Sequence, residues 1–173
     1  MSVELALKVA EKAHRGQKRH RAAFSVLTSS GVRHKPSENE PYILHPTRVA
    51  LAVASKMGHQ VDQWCEHRVT QVALLHDVVE DSNVTLDDLR SAGFSDAVVN
   101  DVALLTRDIE VSYFDYIKRI SEGPLPAVCV KVHDLLDNLD GFTVDDVFAD
   151  HSMVKRYRKA LALLSWSGRE AKL

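Results

Sequence analysis

The chain has 173 residues, enough for one hydrophobic core and few for two. With 45% hydrophobic and 27% charged residues it has the composition of an ordinary globular domain, which excludes a disordered or fibrous chain. A formal net charge of −2 gives no overall field for nucleic acid or an anionic membrane surface, and no apolar run reaches the roughly twenty residues that span a bilayer. The two cysteines, Cys65 and Cys129, are too few for a disulfide framework and read as thiols of a reduced core. Met1-Ser2-Val3-Glu4 lacks the basic-then-apolar pattern of a signal peptide. The expectation is a cytoplasmic protein with one domain over residues 1–173, its core running from about residue 4 to about residue 165.

Helical spacing dominates from the start. Leu5, Val9, Ala10 and Ala13 recur on one face of a first helix. The stretch from about Thr28 to Glu40, with Ser29, Ser30, Gly31, Pro36, Ser37 and Asn39, reads as a loop. A second helix starts at His45-Pro46, with proline in the first turn, and stops at Met57-Gly58. A third is predicted from Asp62 to Asp81, burying Val69, Val72, Ala73, Leu75 and Val79. Thr85 to Asp88 is a capping box opening a short helix to Ala92, and Ser95 or Asp96 starts the next. Ser112 to Asp115 has the form of a second capping box. Leu125 to Leu139 is rich in β-branched residues, but its length and Leu-rich end favour helix. A last helix covers His151 to Ser165, and no alternating strands with Asn-Gly turns occur. The fold class is therefore all-α.

Nine histidines are many for this length, and those near carboxylates matter most. His76-Asp77 follows the apolar run Val72-Ala73-Leu74-Leu75, where an acid is costly unless paired or metal-bound. His45 opens a helix after Pro41-Tyr42-Ile43-Leu44, and Asp134 stands in the apolar run from Val130 to Leu136. Glu80 and Asp81 follow one helical turn after His76-Asp77. Two imidazoles and two carboxylates form a mixed N/O set suited to Mn, Fe, Co or Zn, with positions left for water and substrate.

The ordered series resembles the HD-domain hydrolases, and within them the RelA/SpoT-type hydrolase domain and its small stand-alone relatives. The matching pieces are His14-Arg15-Gly16-Gln17-Lys18-Arg19, Glu40-Pro41-Tyr42-Ile43-Leu44-His45-Pro46, Ala73 to Asp81 with Thr85, and Val130-Lys131-Val132-His133-Asp134 with Asn138. The resemblance implies a helical HD-domain bundle. It implies one divalent metal ion, usually Mn, held by His45, His76, Asp77 and Asp134. It implies that Glu80 and Asp81 orient or deprotonate the attacking water. Arg19, with Lys18 beside it, would lie near a phosphorylated nucleotide, and Asn138 would help hold the ribose-phosphate. The implied reaction removes pyrophosphate from the 3′ side of guanosine tetra- or pentaphosphate. Two other readings stand beside it: an HD-domain phosphatase for another nucleotide, and a nucleotide-binding domain without turnover. Intact Glu80 and Asp81 favour an enzyme.

The chain departs from the resemblance at residues 22–38, an insertion where relatives pass by a short turn. Flanked by Lys18, Arg19, His20 and Arg21, and containing Arg33, His34 and Lys35, it reads either as a solvated loop or as a phosphate-binding rim. His133 reads as a core or supporting histidine, His14 as a supporting residue at the mouth or a bystander, and Asp137 and Asp140 as a polar helix face. Trp64 and Trp166 read as packing residues.

Overall fold

Ser2 accepts the backbone N–H of Leu5 (3.3 Å) and starts helix α1, Val3–Ala13, whose Ala6 and Ala10 are fully buried. The computed structural model describes residues 2–19, 26–27, 33–34, 39–57, 63–140 and 152–165. Beyond α1 the chain turns at Gly16, whose φ of +78° is the left-handed region that favours glycine. That turn lies between the helix and Lys18 and Arg19. They form β1, Lys18–Arg19, antiparallel to β4, Glu40–Pro41, with Arg19 opposite Glu40. A second two-residue ribbon joins β2, Val26–Leu27, to β3, Arg33–His34. These ribbons are the only strands among the described residues, and they are too short for any period-two pattern to announce them. Most of the insertion, and with it Arg21 and Lys35, lies outside the described residues.

Helix α2, Leu44–Met57, follows, then α3, Gln63–Leu75. The single helix expected to Asp81 is broken. His76 Nδ1 bonds to the Ala73 carbonyl (2.7 Å), the acceptor that a continuing helix would offer to the Asp77 amide. Asp77, at φ −99° and ψ −6°, then caps the short α4, Val78–Asp81. The capping box at Thr85 and Asp88 opens α5, Leu86–Ser91, and Ser95 caps α6, Asp96–Leu105. Ser112 caps α7, Tyr113–Ser121, by accepting the Asp115 N–H; the Asp115 carboxylate takes the Ser112 hydroxyl (2.6 Å). Leu125–Asp140 is indeed a helix, α8, and Ser152–Ser165 forms α9.

Helix α3 packs against α1, α2, α6 and α8. Its Val69, Val72, Ala73 and Leu75 are buried with Val49 and Val53 of α2, Val99 and Val102 of α6, and Val130 and Leu135 of α8. This packing fixes the C-terminal end of α3, where His76 and Asp77 emerge. Leu75→Ala is therefore expected to lower the unfolding free energy by about 2–5 kcal/mol in urea melts, by lost transfer energy plus a cavity. A loss under about 1 kcal/mol would mean that this end of α3 is not clamped.

Candidate metal centre and its cleft

Three helical segments deliver the candidate ligands: His45 in the first turn of α2, His76 and Asp77 at the break after α3, and Asp134 on α8. One donor atom each from His45, His76 and Asp134, all buried, lie within 4.8 Å of one another. Asp77 Oδ2 joins them, 3.4 Å from His45 Nε2 and 3.2 Å from His76 Nε2. Asp134 Oδ1 is 3.2 Å from His45 Nε2 and 3.8 Å from His76 Nε2. The Asp77 side chain is 20% exposed and the Asp134 side chain 6%, so the cluster opens on the Asp77 side.

The two rings are oriented from behind. His76 Nδ1 donates to the Ala73 carbonyl, and His45 Nδ1 donates to Asp137 Oδ2, both at 2.7 Å. Carbonyl and carboxylate oxygens can only accept, so each Nδ1 keeps its proton, and in the neutral ring the lone pair is on Nε2, which faces the cluster. His76 Nε2 is buried and makes no hydrogen bond among the described residues, although two carboxylate oxygens lie within 3.8 Å. Ligating atoms gathered this closely around an unpartnered Nε2 fit a common ion. Burial pulls the His45 imidazole down, yet Asp134, Asp137 and Asp77 push it up to about 9. Burial opposes the charged His76 ring too, and Asp77 and Asp134 carry it to about 10. The site calls for positive charge at its centre, which a divalent ion supplies with both Nε2 atoms as neutral donors.

Glu80 and Asp81 stand on α4 at the rim. Glu80 Oε2 accepts the Arg107 backbone N–H (3.2 Å); burial raises this carboxyl above its usual range, and that N–H opposes the rise. The Tyr42 hydroxyl lies 2.8 Å from Asp77 Oδ2 and 2.7 Å from Asp81 Oδ2, tying rim to cluster. Burial and then those carboxylates raise the Tyr42 pKa strongly, so it stays a neutral donor. Arg19 Nη2 donates to Asn138 Oδ1, and Asn138 Nδ2 donates to Asp134 Oδ1 (2.6 Å). These residues line one cleft of ≈ 240 Å³, where Arg19, Arg107 and Lys131 supply positive charge. A larger open depression, ≈ 660 Å³ along α4 and α5, contains none of the candidate residues. Lys18 is exposed and does not line the cleft.

Several contributors were not legible as such. Lys131 Nζ holds Asp134 Oδ2 at 2.8 Å, and Asp137, read as a polar helix face, supports His45. Tyr42 and Arg107 carried no signal beyond their place in or near a motif. His14 is buried and stacked on Tyr42 with centroids 4.6 Å apart, a supporting position. His133 turns back to the Cys129 carbonyl (2.8 Å) and takes no part in the cluster. The side chain of Trp64, and Trp166, lie outside the described residues.

No family model matches the chain. The guanosine-3′,5′-bis(diphosphate) 3′-pyrophosphohydrolase MESH1 of Danio rerio is 35% identical over 122 residues, 67% of this chain and 63% of the relative. The MESH1 of Xenopus tropicalis is 33% identical over 123 residues, 68% of this chain and 65% of the relative. The chain thus spans somewhat under two thirds of the length of these curated relatives. The solved structure of a metazoan SpoT ortholog that hydrolyses ppGpp matches with a TM-score of 0.67 at 24% identity, over 95% of this chain and 86% of that one. The chain has the HD-domain helical fold and is similar in sequence to (p)ppGpp hydrolases. Its HD-domain helices carry a His-His-Asp group able to hold a metal ion, and among the described residues no helix is long and apolar enough to cross a membrane.

Proposed function

We propose that this HD-domain protein is a metal-dependent guanosine-3′,5′-bis(diphosphate) 3′-pyrophosphohydrolase, acting in the cytoplasm as one domain over residues 1–173. The observation that carries the reading is the buried, unbonded Nε2 of His76 among the donors of His45, Asp77 and Asp134. We assign these four residues as ligands of one divalent ion, with Mn first and Fe, Co or Zn also suited to the donor set. Bound there, the ion supplies Lewis acidity for phosphoryl transfer to water.

The remaining steps belong to side chains. Glu80 takes the proton of the attacking water, and Asp81, held by Tyr42, orients that water. Arg19 and Asn138 grip the nucleotide, with Lys18 as an outer charge, while Arg107 and Lys131 balance the phosphate charge inside the cleft. Arg19→Ala is accordingly expected to raise KM strongly with a milder fall in kcat, as for lost ground-state binding. An unchanged KM would remove Arg19 from the nucleotide site.

Substrate class is tested by binding. The Glu80→Gln variant loaded with MnCl₂ is expected to bind guanosine 3′,5′-bis(diphosphate) more tightly than guanosine 5′-diphosphate in calorimetric titrations. Equal affinities would favour an HD-domain phosphatase for another nucleotide.

A further inference from the structure

The contacts that begin at the metal cluster continue behind His45. Asp137 Oδ2 accepts the His45 Nδ1–H, and Arg48 grips the same carboxylate, Nε to Oδ1 at 2.6 Å and Nη2 to Oδ2 at 3.0 Å. The same guanidinium reaches Glu40 with Nη1 at 3.0 Å and Nη2 at 2.7 Å. One line therefore runs from β4 through α2 and α8 back to a candidate ligand. Its side chains are mostly withdrawn from water: Asp137 is 11% exposed, Glu40 15% and Arg48 29%. Charges in such a place are costly, and apolar side chains of similar size would pack α2 on α8 at least as well. What the ion network provides is direction, since a bidentate Arg–carboxylate pair fixes the carboxylate plane.

The same ribbon reaches the cluster a second time. Arg19 of β1, register partner of Glu40, bonds Asn138, which bonds Asp134. Both strands at the root of the insertion are thus tied to candidate ligands, one to His45 and one to Asp134.

We propose that Asp137, braced by Arg48 and Glu40, is a positioning residue that locks the His45 ring with Nε2 turned to the metal, and that the β1–β4 ribbon supports metal affinity through this line. The proposal rests on reading the cluster as a metal site. Loss of an outer partner that orients a ligand imidazole typically weakens metal binding by about 10–100-fold.

The experiment is calorimetric titration of the full chain with MnCl₂, together with melting temperatures with and without MnCl₂. Asp137→Asn keeps the shape and removes the charge; it is expected to bind Mn²⁺ about 10–100-fold more weakly, with a smaller Mn²⁺-induced rise in Tm. Glu40→Gln, at the outer end, is expected to lose less in the same direction, and it decides alone if Asp137→Asn does not fold. A purely structural brace would lower Tm equally with and without metal and leave the Mn²⁺ affinity at the wild-type value, which overturns the inference. If the wild-type chain itself takes up no Mn²⁺, the metal reading falls and this inference with it. Wild-type uptake with unchanged variants sinks this inference alone.

Discussion

His76→Ala is expected to lose both metal uptake and hydrolysis. The imidazole sits at the buried side of the cluster, fixed by the Ala73 carbonyl, with its other nitrogen aimed at Asp77 and Asp134. Alanine leaves two carboxylates facing one imidazole, in a place too buried for solvent to substitute freely. Where a group central to stabilising developing charge is removed, rates fall by about 10²–10³-fold. Here the loss should be greater, because the ion goes with the ligand. Mn²⁺ binding by calorimetry and pyrophosphate release should both drop to background. Turnover retained in this variant would remove the cluster from the chemistry.

Glu80→Gln separates chemistry from binding. The amide keeps the shape and the hydrogen bond from the Arg107 N–H but cannot take a proton. Loss of a general base costs about 10²–10⁴-fold in kcat, while Mn²⁺ and nucleotide affinity should stay near wild type. Asp81→Asn should cost less, since the Asp81 carboxylate is engaged by the Tyr42 hydroxyl and its proposed part is to orient the water. Burial raises the Glu80 carboxyl above its usual range, the direction that suits the proposed base. Near-normal kcat in both variants would move the base to another residue.

The all-α class and the residues that gather in the cluster were legible because each rests on a strong local conflict or a long period. An acid in an apolar run, as at Asp77 and Asp134, has few stable explanations, and α8 is long enough for its Leu-rich end to outweigh its valines. The break after Leu75 was not legible, because no Gly or Pro marks it and the cause is a side chain folding back onto Ala73. The β1–β4 ribbon escaped for a similar reason: two residues per strand leave no alternation to read. Asp137 looked like an exposed face because its partners, His45 and Arg48, lie far away in sequence and meet it only when α2 packs on α8. Lys131 was visible as part of a motif, but its bond to Asp134, three residues on, depends on how α8 is turned toward the cleft.

The most direct measurement follows the products of guanosine 3′,5′-bis(diphosphate) by phosphorus NMR, with the wild-type chain in MnCl₂ and again in excess chelator. The account predicts pyrophosphate and guanosine 5′-diphosphate in equal amounts with Mn²⁺, and no turnover with chelator. Undiminished turnover in chelator, or a clear preference for a simple nucleoside 5′-monophosphate over the 3′-pyrophosphate, would contradict it.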